Sequence, residues 1–252
     1  SPAAVSAGKV FLWPVEFTWR GYETVLTNSK ILLGFANSVF YTVVGTVVSV
    51  ALTVMLAYPL SRANFVGGKF LTGAVVFTML FAGGLIPTYL VVQELGLLDT
   101  RWALIIPKAV AVWPAILAIT FFRTSVPDEV YEAARIDGAS ELRILWQVVL
   151  PLAKPMIAVI ALMYAIVQWN SYFDALIYLR DPSLYPLQLV LRNILILNTD
   201  GGGDATSALE RQQLANLLKY SLIVISTVPV MLIYPFVARY FTKGVMLGAV
   251  KG

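Results

Sequence analysis

The chain of 252 residues contains no cysteine and no histidine. The first absence excludes disulfides and thiol nucleophiles. The second excludes imidazole acid–base catalysis, and the two together remove most zinc sites. Charge is scarce as well: 13% of residues are charged, against roughly 25% in an ordinary soluble domain. The hydrophobic share is 59% and the mean hydropathy +0.79. A soluble fold of this length could bury a core, but it could not hide so much apolar surface. The composition therefore reads as an integral membrane protein. The net charge of +4 and the pI of about 9.2 do not indicate nucleic acid, because the basic residues form no dense patch or stripe.

What the chain does have is long apolar sequence. Five stretches read as spanning helices: 31–60, 70–92, 102–122, 156–179 and 220–241. The first carries no charge. As a helix it would measure about 45 Å against a hydrocarbon core of about 30 Å, so it must tilt or project. Asn37 and Ser38 near its start read as interhelical hydrogen bonders. Gly83, Gly84 and Pro87 permit a bend in the second. Pro107, Lys108 and Pro114 interrupt the third, and Lys108 lies close enough to its start to snorkel. Pro229 and Pro235 predict kinks in the fifth. Residues 1–30 mix Trp13, Trp19 and Tyr22 with charges, which suits a membrane interface or a plain surface. Residues 180–219 are hydrophilic, with Leu187 to Leu197 expected as a short helix packed back on the surface. The short segments 61–69 and 242–252 carry Arg62, Lys69, Lys243 and Lys251 and no acid. By the positive-inside rule they lie in the cytoplasm, which puts residues 1–30 and 180–219 outside.

The exception in this greasy chain is Val130 to Pro155, with five charged residues in its first fourteen positions. Ser125, Pro127 and Asp128 are helix-start signals. They predict a first short helix, Asp128 to Asp137, with Val130, Ala133 and Ala134 on one face. Small residues there let another surface approach closely. Gly138 supplies a turn, because it accepts positive φ without steric cost. Ser140 caps a second helix, Glu141 to Val149, and Pro151 is expected to stop it. Loops between bundled helices usually run roughly two to eight residues. A connection over 123–155 with two capped helices reads instead as a docking element in the cytoplasm.

The same residues resemble the EAA loop of the permease subunits of ATP-binding-cassette importers. Glu132-Ala133-Ala134 is followed three residues on by Gly138, then after nine more by Val148 and Leu150-Pro151. Val148 replaces the usual Ile. The extended form continues through Asp137, Gly138 and Ala139. Asp137 to Ser140, Trp169 to Leu179 and Tyr185 to Arg192 look like carbohydrate-uptake permeases of the maltose-G-like kind, in the lipo- and polysaccharide branch, with an alginate importer and other oligosaccharide importers as open alternatives. The resemblance implies an all-α integral membrane protein, one permease domain over 1–252, multi-pass in a bacterial cytoplasmic (inner) membrane with its C-terminus in the cytoplasm. Such permeases usually have six spans, so a sixth is expected before Ser1, in keeping with the missing initial Met. Residues 123–155 become the coupling loop, with Glu132, Ala133, Ala134, Asp137, Gly138, Leu150 and Pro151 as its ATPase-coupling residues. The implied partners are an ATPase dimer, a second non-identical permease, an extracytoplasmic solute-binding protein and membrane lipid. The chain itself needs no cofactor and no metal; ATP and Mg belong to the ATPase. In agreement, the chain has no G-x-x-x-x-G-K-[ST], and Gly67-Gly68-Lys69 lacks its spacing. It is expected to be non-catalytic.

An oligo- or polysaccharide needs hydrogen-bonding groups and flat aromatic faces along its path. Tyr164, Gln168, Trp169, Asn170, Tyr172 and Asp174 supply both in one half of the fourth span, and Tyr89 and Trp113 add to the wall. The same groups also fit an interfacial aromatic belt and helix–helix hydrogen bonding. Lys108 and Arg180 are the basic groups that an acidic sugar would want. Two rival readings differ in kind. A stand-alone secondary transporter predicts an internal repeat, and none is visible. An ATP-driven permease for amino acids or peptides is disfavoured by the segments at Asp137 to Ser140 and Trp169 to Leu179.

Overall fold

A computed structural model describes residues 19–197, together with 221, 223–229 and 231. Residues 1–18, the tail 242–252 and most of the predicted fifth span, 220–241, lie outside the described residues, as does the end of the 180–219 segment. Every described element is helical and none is a strand. The chain divides into two compact units: Ser1–Phe40 with Asn170–Ile233, and Tyr41–Trp169 with Tyr234–Gly252. The long helix α2 (Ser29–Ser61) contributes its start to the first and the rest to the second.

In the first unit, α1 (Arg20–Thr27) was not foreseen from the mixed composition around it. It ends where Asn28 turns extended. The Asn28 carboxamide then accepts from the backbone N–H groups of Lys30 (3.0 Å) and Ile31 (3.4 Å), which caps α2. Asn37 donates to the carbonyls of Ser183 (2.7 Å) and Tyr185 (3.1 Å), and Ser38 Oγ accepts from Leu187 N–H at 2.8 Å. These two polar residues of an apolar helix thus hold the strand-like approach to α10 (Leu187–Leu197), the short helix expected there. Gly34 lets α10 lie close. A Cβ on it would stand 2.9 Å from Val190 Cγ2 and 3.3 Å from Leu187 Cα.

The second unit is built on apolar packing between α2, α5 (Val112–Ser125) and the polar hairpin that follows. Ala57, Ala118, Phe122, Tyr131, Ile144, Val149 and Ala153 are all buried at its centre. Alanines bring the helix backbones together, and Phe122 meets the Tyr58 ring edge-on at 6.5 Å. Truncation of a core phenylalanine of this kind costs about 3–5 kcal/mol.

Among the described residues, 31–60 is the only predicted span that is one unbroken helix long and apolar enough to cross a membrane; three more stretches pass as bent pairs. The 70–92 stretch is two helices, α3 (Gly68–Leu80) and α4 (Leu85–Glu94), turned by 117°. Gly84 takes φ 87, a conformation that L side chains rarely adopt, and Pro87 sits in the first turn of α4, where no N–H is needed. The 102–122 stretch begins as 3₁₀ turns at Arg101–Leu104 and Ile106–Lys108 and bends by 50° into α5. Pro107 removes the donor that an α-turn would use. The 156–179 stretch breaks after α8 (Lys154–Trp169), and α9 (Phe173–Tyr178) belongs to the first unit. α3 buries none of its residues, and Phe70, Phe77, Leu80 and Phe81 are exposed. Such an apolar exterior suits lipid rather than water.

Candidate functional site

The polar hairpin consists of α6 (Asp128–Ile136) and α7 (Glu141–Leu152). Pro127 precedes α6 with an extended backbone, Asp128 and Glu129 occupy its first turn and Arg135 its last, so both helix ends carry the favourable charge. Gly138 takes φ 76. It lets Ala139 N–H reach the Ala134 carbonyl (2.9 Å) and Gly138 N–H that of Arg135 (3.0 Å), the closing bonds of a left-handed helix end. Ser140 Oγ then accepts from Arg143 N–H at 3.4 Å and caps α7. The turn and the starts of both helices therefore lie where the residue pattern predicts.

Pro151 does not stop the second helix. α7 passes through a π-helical turn at Leu145–Val149 and continues to Leu152. The wider turn bonds Leu150 N–H to the Leu145 carbonyl, and Pro151, with no N–H of its own, sits at the start of the next turn. The real corner is at Ala153, where α7 and α8 meet at 83°. Pro155 lies just beyond it, in the first turn of α8, where its missing N–H costs nothing.

One face of the hairpin is tied to the end of α2. The Tyr58 hydroxyl donates to Glu141 Oε2 at 2.9 Å. Arg135 donates to Glu141 Oε1 through Nε (3.0 Å) and Nη2 (2.7 Å), so both carboxylate oxygens are engaged. The Arg62 guanidinium lies over the Tyr131 ring, 3.2 Å from its centre, and 3.6 Å from Asp128. Arg123 Nη2 donates to the Leu60 carbonyl at 3.3 Å. The stacked Arg62 is worth about 0.5–2 kcal/mol depending on how dry the site is. The Arg62–Asp128 contact adds little, because Asp128 is well exposed. The Arg135 hydrogen bonds hold the Glu141 carboxyl below its ordinary value, assisted by the Tyr58 hydroxyl and opposed by partial burial. Glu141 in turn raises Arg135. Burial raises the Tyr131 hydroxyl, with Arg62 opposing.

The other face is open. Glu132 and Ala133 are exposed, whereas Ala134 is half-buried and packs against the apolar core. Ile136 is 87% exposed, Leu142 70% and Trp146 69%. Asp137 and Gly138 sit at the exposed tip, while Leu150 is half-buried and Pro151 exposed near the corner. None of the inward ties, Tyr58, Arg62, Tyr131, Arg135 or Glu141, was among the expected site residues. Arg135 and Glu141 flank the Gly138 turn, a spacing that could have paired them. Tyr58 and Arg62 are too distant in sequence to leave such a signal.

The residues expected along a sugar path divide between the two units. In the second, Tyr164 is buried, and its hydroxyl joins Thr53 Oγ1 (2.6 Å) and Ala111 N–H (3.0 Å). Gln168 and Trp169 are buried, Tyr89 is half-buried and Trp113 exposed. Of these residues Tyr164 lines a groove of ≈540 Å³, together with Pro107, Lys108, Ala111, Pro114 and Val167. In the first unit, Asn170 and Tyr172 are exposed and Asp174 half-buried; the Tyr172 ring stands edge-on to Phe173 at 6.3 Å.

An all-helical, lipid-suited chain with a polar hairpin clamped to its longest helix defines a class. Residues 31–247 match the binding-protein-dependent transport system inner membrane components, and the chain belongs to that family. It is 43% identical over 253 residues to Protein LplC of Bacillus subtilis (strain 168), covering 99% of this chain and 84% of that one. It is 42% identical to the polygalacturonan/rhamnogalacturonan transport system permease protein YtcP of the same organism, over 98% of this chain and 87% of the relative. Among solved structures, a bacterial ABC transporter involved in the import of the acidic polysaccharide alginate has a chain that matches with TM-score 0.87 and 38% identity. The match covers 95% of this chain and 85% of that one.

Proposed function

We propose that this chain is the membrane-spanning permease subunit of an ATP-driven importer of oligo- or polysaccharides, driven through the α6–α7 hairpin. The single observation that carries the coupling role is the division of that hairpin into two faces. One is locked to α2 by Tyr58, Arg62, Arg135 and Glu141. The other presents Glu132, Ala133, Ile136, Leu142 and Trp146, all exposed. An acidic group, a small residue that allows close approach and three large apolar groups suit a groove on a cytoplasmic ATPase. Closure of an ATPase dimer would push on the open face, and the locked face would pass that push to α2, α5 and α8. A stiff two-helix lever is what such rigid-body switching requires.

The remaining parts follow from the same reading. The hairpin lies in the cytoplasm with Arg62, Lys69 and the C-terminal lysines. The bent pairs and α2 make up the membrane-embedded body, with the 220–241 stretch as its last span. A second, non-identical permease completes the path, and a solute-binding protein delivers the sugar from outside. One protein named above is a polygalacturonan/rhamnogalacturonan transport permease and another belongs to an importer of the acidic polysaccharide alginate, which makes an acidic oligosaccharide the first substrate to try.

The test is the ATPase activity of the complex reconstituted in liposomes with its ATPase, second permease and binding protein. Acidic and neutral oligosaccharides are compared. Stimulation by a sugar is the expected result; uptake of solute by this chain alone, without ATP, would overturn the reading. Gly138→Asp probes the hairpin: the permease pair should still assemble, while ATPase binding or stimulation is lost.

A further inference from the structure

Serine and threonine in helices usually hand their hydroxyl proton to a carbonyl one turn back. This chain follows the habit repeatedly. Thr27 bonds the Glu23 carbonyl, Thr88 that of Gly84, Thr124 that of Thr120, and Ser61 that of Tyr58. One stripe does not. Thr42, Thr46, Ser49 and Thr53 follow one another at spacings of four, three and four residues, so they share one face of α2. Thr53 is satisfied by Tyr164. Thr42 Oγ1, Thr46 Oγ1 and Ser49 Oγ are buried with no hydrogen-bond partner in the protein.

The surface facing this stripe is α8. Tyr164 and Gln168 lie one turn apart on it, and Gln168 is pressed against Gly45. A Cβ at position 45 would stand 2.7 Å from Gln168 Nε2 and 3.0 Å from its Cγ. Gln168 is 2% exposed, and its Oε1 is also without a partner. Four orphaned polar atoms thus lie on two facing helices of one unit, in the part of the chain richest in apolar residues. Each carries a desolvation cost as long as it is unpaired. Valine or leucine at the same positions would pack without that cost.

We propose that Thr42, Thr46, Ser49 and Gln168 form a hydroxyl- and amide-lined surface that is closed in this conformation and parts during the transport cycle to bind O–H groups. Those groups come from water or from the hydroxyls of the passing sugar; both donate and accept as the orphaned atoms require. The inference rests on the transport reading above and locates a contact surface within it. Gly45 is what allows the closed state, because it gives Gln168 room to seat.

The absence of native cysteine makes the test direct. Ser49→Cys is introduced into the assembled importer, with Ala118→Cys in the static apolar core and Val47→Cys on the outer side of the same helix as controls. Ala118 is 0% exposed and Val47 63%. Proteoliposomes are treated with a hydrophilic, charged thiosulfonate without nucleotide, and with ATP plus vanadate, and labelling of this subunit is read by intact mass. Labelling rate follows the population of the parted state, so Ser49→Cys should react at least about tenfold faster in one nucleotide state than in the other. Ala118→Cys should stay unlabelled in both. Added oligosaccharide that slows the Ser49→Cys reaction assigns the surface to sugar; no change assigns it to water. Protection of Ser49→Cys in every state, in liposomes that still take up sugar on ATP, overturns the proposal and leaves the transport reading intact. State-dependent labelling without any sugar uptake would keep the parting surface and sink the sugar reading instead.

Discussion

Gly138 and Glu141 show how little separates a flexible loop from a fixed hairpin. At Gly138 the backbone has φ 76 with open space around the Cα, so a side chain would meet no clash and only conformational strain. Gly138→Ala is therefore expected to cost about 1–2 kcal/mol locally, seen as a lower thermal midpoint of the purified complex with its composition unchanged. Glu141 acts through charge. Its folded-state carboxyl is held below the ordinary value of 4.5, so its contribution is complete above that value and is lost as pH falls through the depressed one. Stability of the native complex relative to Glu141→Gln should thus be constant around neutral pH and shrink on acidification below about pH 4. A difference that grows on acidification would contradict the assigned partners. The gain is modest, because the Arg135–Glu141 pair is about half exposed.

Among the elements, α2 does the most. Its start carries Gly34, Asn37 and Ser38 for α10, its middle the stripe facing α8, and its end Tyr58 and Arg62 for the hairpin. Gly34 is the sharpest single test of the first of these. Val190 Cγ2 could swing away from a new side chain, but the Leu187 backbone could not. Gly34→Val should destabilise by about 1–3 kcal/mol through overpacking, with limited proteolysis appearing first around residues 180–197. If Gly34→Val left both the midpoint and the cleavage pattern unchanged, α10 would not be seated as described. The helix breaks at 81–84 and 170–172 belong to the same scale. Glycine and proline announced the first. Nothing as plain marks the second, where Asn170 and Ser171 lie between two mostly apolar runs without a glycine or proline.

For the whole molecule, the reading is of a subunit that cannot act alone. A tagged chain expressed with its neighbours should purify with an ATPase dimer and a second, different permease, and the ATPase should be lost selectively on Gly138→Asp. Recovery of a fully active chain free of both would be incompatible with this. Much of the exposed apolar surface from Phe70 to Phe81 suits lipid and another apolar protein surface equally well in chemistry.

The residue pattern by itself determined the class, the all-helical fold, the unbroken α2 and the hairpin with its Gly138 turn and Ser140 cap. These follow from local rules, because hydropathy, positive φ and capping act over a few residues. The EAA spacing was legible for the same reason. Only the tertiary structure decided that α7 runs on past Pro151 and turns at Ala153, that Tyr58 and Arg62 hold the hairpin, and that Tyr164 serves as a tie between Thr53 and Ala111. The last two outcomes depend on partners more than 50 residues away, and no periodicity in a single chain encodes which distant hydroxyl or ring a side chain will meet.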